Sequence, residues 1–342
     1  MQLDDGTADI ECIEQERPNK VAWWFKAFRQ GGLQYGNGSI LLFYRFGPVR
    51  RIPILVGDVK MRLMTWNIQW GRGMDGRVDL ARIHATIVGH GEFDVICLQE
   101  VAVNFTELPG SQGEDEVSEL YRLFPDYLPV YGAAVDLPAA AGGRKLFGNL
   151  ILSRLPVTQV FRHLLPWPAD AAVPSMQRVL LEAVVETAFG PLRVLTTHLE
   201  YYSQAQRLAQ VEAIRALHLA ACAHARVTRP TEAEPGPFTA PPRPASAILC
   251  GDMNAGPEAS ERARLLARFE GGEPAFKDAW EVVHPNLAHA PTAGIRPVDW
   301  LDQASCYDFV YVTEDLAGRL KQYEVDAETA ASDHQPVWVE LH

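Results

Sequence analysis

A domain of mixed strands and helices is what the sequence predicts, and three observations carry that reading. Short unbroken apolar runs of strand length recur along the chain, each halted by a glycine or a polar residue. Between them lie segments with apolar residues at three- and four-residue spacing, the period of a helix packed on one face. The 342 residues are 47% apolar, enough to bury a full core as one large domain or two small ones.

Residues 1–60 differ from the rest. Asp4, Asp5, Asp9, Glu11, Glu14 and Glu16 make an acidic start, and Trp23, Trp24, Phe25 and Phe28 then stand among Lys20, Lys26 and Arg29. No clean period runs through this segment. It reads as an N-terminal extension, poorly ordered or accessory, with weak membrane contact through residues 20–50 as one role for its aromatics. A start of translation at Met61 is a further reading. The acidic start lacks the pattern of a secretory signal, and no apolar run approaches the roughly 18 residues that span a bilayer. A soluble, reducing, cytoplasmic setting is expected.

From Met61 onward the elements follow in order. Arg62 to Ile68 is a strand with the polar Asn67 late in it, and Asp79 to Gly89 carries helical spacing at Leu80, Ile83 and Ile87. Asp94 to Glu100 reads as a short buried strand that ends on a carboxylate. Val101 to Pro129 is expected as a long loop with a helical piece near Glu116 to Phe124. Ala139 to Lys145 is expected as a solvated loop carrying Arg144 and Lys145, before a strand from Phe147 to Ser153. Phe161 to Gln177 holds Pro166, Pro168 and Pro174 and reads as an exposed loop with Trp167 at its tip. Arg178 opens a strand to Val185, and Gly190-Pro191 turns the chain into Leu192 to Leu199, which contains His198. Tyr201 and Tyr202 just beyond it offer an aromatic wall for a substrate. Gln206 to Arg226 is a helix by period, with Arg207, Gln210 and Glu212 on its other faces, and residues 227–246 hold six prolines.

The most informative stretch follows. Ala247 to Cys250 is a strand-type run that stops at Gly251, and Asp252 and Asn254 stand two positions apart, on one side of an extended chain. A glycine there lets the backbone turn or approach a ligand closely. Ser260 to Phe269 is a helix, Tyr307 to Val312 a strand containing Asp308, and the final strand starts after Asp333-His334. Taken singly, each polar strand end reads as a cap or an Asx turn. Together Asn67, Glu100, His198, Asp252, Asn254, Asp308, Asp333 and His334 form a set, because the strands of one domain gather their ends. Hard oxygen donors without a cysteine partner suit Mg²⁺ or Mn²⁺, leaving two histidines and an asparagine to hold an anionic substrate. The formal net charge of −12 argues against strong non-specific binding of nucleic acid. Oligomeric state is not legible.

In the order TWNIQ, LQE, GNLILS, TTHLE, GDMN, YDFVYV and SDHQPV, the chain from Met61 to His342 resembles the endonuclease/exonuclease/phosphatase superfamily, the deoxyribonuclease I-like fold. The resemblance implies an α+β fold: a four-layer α/β/β/α sandwich, two mainly antiparallel sheets face to face with helices outside. It implies that Asn67 and Glu100 hold the metal with Asp333 nearby, and that Asp252 orients or deprotonates the attacking water. Asn254 then binds phosphate, Asp308 pairs with His334, and His334 and His198 face the phosphate. Arg178 and Asn149 are implied on the substrate side, where family members vary.

The implied activity is metal-dependent hydrolysis of a phosphoester, most readily a phosphodiester, by in-line attack of water. A nuclease and a phosphodiesterase of lipid head groups or small molecules are both open. A phosphomonoesterase of inositol-phosphate type or a silent binding module are the alternatives. The apurinic-endonuclease branch fits poorly, because its active-site tyrosine falls at Leu146. No carboxylate partner for His198 can be placed from the sequence.

Overall fold

Alternation along the strands is what divides the core into layers. In the strand Met61–Asn67, Met61 and Leu63 enter one buried cluster and Met64 and Trp66 another. In Ala247–Asp252, Ile248 and Cys250 share the first cluster, while Ala247 and Leu249 enter a third. Two sheets therefore meet across a common core, and each buries its outer face under helices. This is the four-layer α+β sandwich.

The computed structural model describes residues 60–139, 142–227, 241 and 243–342, with the backbone of 31–36, 39–44 and 54–56. The chain divides into two compact units, residues 1–59 and 60–342. In the first, β1 (Gly31–Gly36), β2 (Ser39–Tyr44) and β3 (Ile54–Val56) pair antiparallel in one sheet. The membrane contact expected of residues 20–50 rests on side chains outside the described residues.

In the second unit, one sheet has the order β14-β15-β4-β5-β7-β6. Its strands are β4 (Met61–Asn67), β5 (Val95–Val103), β6 (Leu128–Pro138), β7 (Arg144–Ser153), β14 (Leu320–Val325) and β15 (Val337–Leu341). The other sheet, β12-β13-β11-β10-β9-β8, is built from β8 (Val157–Leu164), β9 (Val179–Thr187), β10 (Gly190–His198), β11 (Ala247–Asp252), β12 (Phe276–Asp278) and β13 (Asp308–Thr313). The pairs β4–β5 and β10–β11 run parallel, and the other paired strands antiparallel. Helices α1 (Leu80–Gly89) and α2 (Glu116–Leu123) cover the first sheet through Leu80, Ile83, Ile87 and Leu120. Helices α3 (Gln204–Arg226) and α4 (Ser260–Leu266) cover the second through Val211, Ile214 and Leu265. Two short helices, α5 (Ala279–Val283) and α6 (Glu314–Ala317), flank β13. Among the described residues no helix is long and apolar enough to cross a membrane.

Several expected loops are strands. Val101 to Val103 continues β5, and β6 and β14 were not legible. Phe161 to Leu164 belongs to β8, and Arg144 and Lys145 open β7, where their side chains pair with Asp136 and Glu107. β6, β8 and β14 are outer strands paired on one side only, and the ends of β5 and β7 run past one of their two neighbours, so these stretches carry polar residues and prolines that read as loop. Gln210, expected on an outer face of α3, is buried and accepts the Glu200 backbone N–H.

Away from the strand ends discussed below, β9 and β10 bury an ionic network. Arg243 donates to both oxygens of Glu182 at 2.9 and 2.7 Å, pinning the chain near the end of the proline-rich stretch. Burial opposes ionisation of Glu182, but His163, Arg243 and Arg193 outweigh it and hold its pKa at about 2. Arg193 also faces His218 Nδ1 at 2.7 Å, and His218 Nε2 lies 2.9 Å from the Pro274 carbonyl. That pairing requires a neutral ring with the proton on Nε2. Burial, then the Arg193 charge, lowers the His218 pKa to about 4. A depressed histidine pKa contributes stability that is present above the unfolded value near 6.5 and lost as pH falls through about 4. Acidification from pH 7.5 to 5 should therefore cost about 2 kcal/mol at this site. The fall in thermal midpoint over that range should shrink in His218→Gln, which can still serve both partners; an equal fall in the variant refutes the linkage.

Candidate active site

Sheet register brings the polar strand ends into one row. In the second sheet His198 stands beside Asp252, and Asp252 beside Asp308, across β10, β11 and β13. Close approach of β10 to β11 requires the glycine before Asp252. A Cβ on Gly251, at φ 133°, would fall 1.9 Å from the Thr197 carbonyl oxygen. The facing sheet supplies Asn67 at the end of β4, and the loop before β15 supplies Asp333 and His334.

Glu100 is placed by a bulge and not by a strand end. Between Leu98 and Val101 the β5–β7 register shifts, so Gln99 and Glu100 together oppose Asn149. Glu100 takes φ 60°, the left-handed region that a side chain adopts at a cost of about 1–3 kcal/mol. The expectation of a strand ending at Glu100 is thus corrected: the strand continues, and the kink re-aims the carboxylate. Beneath it Gln99, fully buried, donates to Thr65 Oγ1 at 3.1 Å and Thr196 Oγ1 at 2.9 Å, tying the two sheets together.

Asn67 links the carboxylates. Its Nδ2 donates to Glu100 Oε1 and Asp252 Oδ2, both at 3.1 Å, and its Oδ1 accepts the Gln69 backbone N–H. Asp252 Oδ2 lies 3.5 Å from His198 Nε2 and 3.6 Å from His334 Nε2. His334 Nδ1 is 2.8 Å from Asp308 Oδ2, to which Thr292 Oγ1 also donates at 2.7 Å. Asp333 Oδ2 accepts from Gln69 Nε2 at 2.7 Å and Trp300 Nε1 at 3.1 Å.

The two histidines differ in charge. Burial opposes the charged form of His334, but Asp308, Asp252 and Asp333 together push its pKa well above the usual histidine value. Its Nδ1–H is directed at Asp308, leaving Nε2–H toward Asp252. His198 has carboxylates within 4 Å on both ring nitrogens, Glu100 Oε1 being 3.7 Å from Nδ1. Even so, burial, Arg178 and charged His334 drive its pKa well below the usual value. The neutral ring is the consistent assignment, since Glu100 does not carry a full charge. Burial and then Asp333 raise Glu100 to about 7. Asp252 rises to about 6, through burial first, with His334 opposing and Asp308 reinforcing.

The remaining expected residues stand near but are otherwise engaged. Asn254 lies beyond the end of β11 at φ 47°, so alternation does not hold its side chain beside that of Asp252; its Nδ2 donates to the Leu199 carbonyl. Asn149 Nδ2 donates to the Val179 carbonyl. Arg178 Nε reaches Glu200 Oε2 at 3.3 Å, while its buried Nη1 has no hydrogen-bond partner among the described residues. Tyr201 donates its hydroxyl to the Trp300 carbonyl. Thr292, Trp300, Gln69 and Gln99 were not legible as site residues. They carry no motif signal of their own, apart from the place of Gln69 in TWNIQ and of Gln99 in LQE.

The donor set fits a hard divalent cation. Asp252, Asp308 and His334 bring ligand atoms within 4.8 Å of one another. Asp308 and the Nδ1 of His334 are spent on each other, which leaves the oxygens of Asp252, Glu100 and Asp333 with Asn67 among them. Burial first, and then Asp333, disfavours the charge on Glu100, a cost that a bound cation would offset. A second group, Asp278, Glu281 and His289, is already balanced by Arg262, which donates to both carboxylates.

Residues 64–334 match the family described as the endonuclease/exonuclease/phosphatase family. An endonuclease/exonuclease/phosphatase structure from Beutenbergia cavernae is similar at 24% identity, covering 83% of this chain and 72% of that one, with TM-score 0.59. A mannosyl-6-phosphatase from Bacteroides thetaiotaomicron is similar at 16% identity, covering 82% and 99%, with TM-score 0.55. Truncated TDP2 from Caenorhabditis elegans is similar at 19% identity, covering 82% and 97%, with TM-score 0.53. At these identities the likeness concerns the fold. Among curated proteins no sequence matches the chain.

Proposed function

The chain belongs to the endonuclease/exonuclease/phosphatase family, and from that premise we propose that it is a Mg²⁺- or Mn²⁺-dependent phosphodiesterase. Hydrolysis of a phosphoester is what the family performs, and its enzymes are generally dependent on a divalent metal. The observation that supports the diester reading is the environment of Asp252, whose Oδ2 stands between neutral His198 and charged His334 at 3.5 and 3.6 Å.

With its pKa at about 6, Asp252 is a carboxylate at neutral pH and can take a proton. It orients the attacking water and accepts that proton as the water oxygen bonds to phosphorus. Charged His334, fixed by Asp308 and Thr292, directs its Nε2–H at the oxygens where negative charge gathers. As the bond from phosphorus to the leaving oxygen breaks, a histidine N–H supplies the proton that oxygen takes. Arg178 Nη1 offers one more donor to the phosphoryl group. A cation held by Glu100 and Asp333, beside Asn67, would supply neutralisation of the developing charge.

The carboxylates Asp252, Glu100 and Asp333 crowd the site with negative charge, which opposes the double charge of a monoester more than the single charge of a diester. Bis-p-nitrophenyl phosphate should therefore be turned over faster than p-nitrophenyl phosphate with Mg²⁺ or Mn²⁺. Faster cleavage of the monoester points to a phosphomonoesterase, and cleavage of neither, across pH and both metals, removes the enzyme reading. The four described cysteines are buried and free of disulfides, which suits the cytoplasm proposed for it.

A further inference from the structure

Beside His198 a cleft is lined by Phe147, Asn149, Met176, Arg178 and Val179, among others. Arg178 is only 5% exposed, and its buried Nη1 has no hydrogen-bond partner among the described residues. A guanidinium held by Glu200 through Nε keeps Nη1 as a donor for one anionic oxygen on the wall of that cleft. Neighbouring basic groups are already occupied. Arg207 donates to Glu261 and to the carbonyls of Glu200 and Tyr201, and Arg296 to the carbonyls of Glu328 and Thr329. Arg144 and Lys145 are paired with Asp136 and Glu107. A polynucleotide needs a track of cations along successive phosphates. Among the described residues the site offers Arg178 and charged His334, enough for one phosphate and not a track, in a chain of net charge −12.

Around His334 the site is aromatic. The Trp300 ring stacks on His334, centroids 5.5 Å apart and 15° from parallel. Tyr201 meets Trp300 edge-on at 6.0 Å, and Tyr202 meets Tyr201 edge-on at 4.6 Å. Tyr202 is 57% exposed, and Trp300 and Tyr201 are half-buried. An exposed aromatic shelf next to a phosphate site binds a flat ring by stacking, whatever hydrogen-bonding edge that ring carries.

Building on the phosphodiesterase reading above, we propose that the substrate is a monomeric phosphodiester bearing a flat-faced ring. Its single charge meets Arg178, and its ring, a nucleobase or a hexose, lies on the Trp300–Tyr201–Tyr202 shelf.

The test compares four chromatographically resolved substrates: the methyl diesters of thymidine 5′-phosphate, glucose 6-phosphate and glycerol phosphate, and a short single-stranded oligonucleotide. Bis-p-nitrophenyl phosphate serves as the generic diester. At least one ring ester should exceed the acyclic glycerol ester in kcat/KM by about tenfold, and which one does so identifies the ring. Tyr202→Ala should reduce that preference several-fold. Rates should change little between about 50 and 200 mM salt, a range over which polyanion binding weakens steeply. Equal rates for ring and acyclic esters, or no loss of preference in Tyr202→Ala, overturn the shelf. Faster and steeply salt-dependent cleavage of the oligonucleotide overturns the monomeric substrate while leaving the phosphodiesterase reading intact. If bis-p-nitrophenyl phosphate also stays uncut, that earlier reading fails and the inference falls with it.

Discussion

Asp252→Asn and His334→Ala should each lower kcat on a phosphodiester by at least about a hundredfold, or roughly 2.7 kcal/mol of barrier. The reason lies in the row His198, Asp252, His334, Asp308. Asparagine keeps the shape of Asp252, but its single oxygen can accept from only one of the two donors, Asn67 Nδ2 and the Asn254 backbone N–H, and it cannot accept the proton from water. Alanine at 334 removes the cation that faces Asp252 and leaves Asp308 buried with only Thr292 to satisfy it. The two variants should thus separate in stability. Asp252→Asn relieves a carboxylate whose burial is unfavourable and should melt no lower than wild type, whereas His334→Ala should melt lower. Activity within a few-fold of wild type in Asp252→Asn, with unchanged melting, would sink the roles proposed for this row.

The second large effect concerns Glu100. Replacing it with alanine should raise the Mg²⁺ concentration needed for half-maximal activity at least about tenfold. It should also abolish most of the rise in thermal midpoint that Mg²⁺ gives. pH supplies a further readout with a definite sign. Burial and Asp333 raise the Glu100 pKa to about 7, so without a cation the folded protein loses stability as pH rises through that value. A bound cation offsets that loss. Stabilisation by Mg²⁺ should therefore be larger at pH 8 than at pH 6, where protons compete for the same oxygens, and Glu100→Ala should flatten the difference. Full activity in excess chelator refutes both the role of Glu100 and the metal mechanism.

What the sequence by itself determined is the set of strand ends and the family they spell. Asn67, His198, Asp252 and Asp308 sit where apolar runs stop, and any single domain that pairs those strands must gather them. The buried central strands were legible because both faces are covered, which writes an unbroken apolar run. The outer strands β6, β8 and β14 were not, since one edge and part of a face meet solvent and the composition loosens.

Tertiary structure alone decided how the site works. The bulge that turns Glu100 inward depends on a register shift against β7, and nothing in LQE announces it. The opposite charges of His198 and His334 follow from which groups lie near each ring. Asp308 is 2.8 Å from one, and Arg178 lies close enough to the other to disfavour its proton. Trp300 and Thr292 belong to the site only because their loops fold back onto His334 and Asp308, at sequence separations that no local pattern spans. A linear pattern records which side chains a strand delivers, while electrostatics depends on distances across strands and loops that only the folded chain sets.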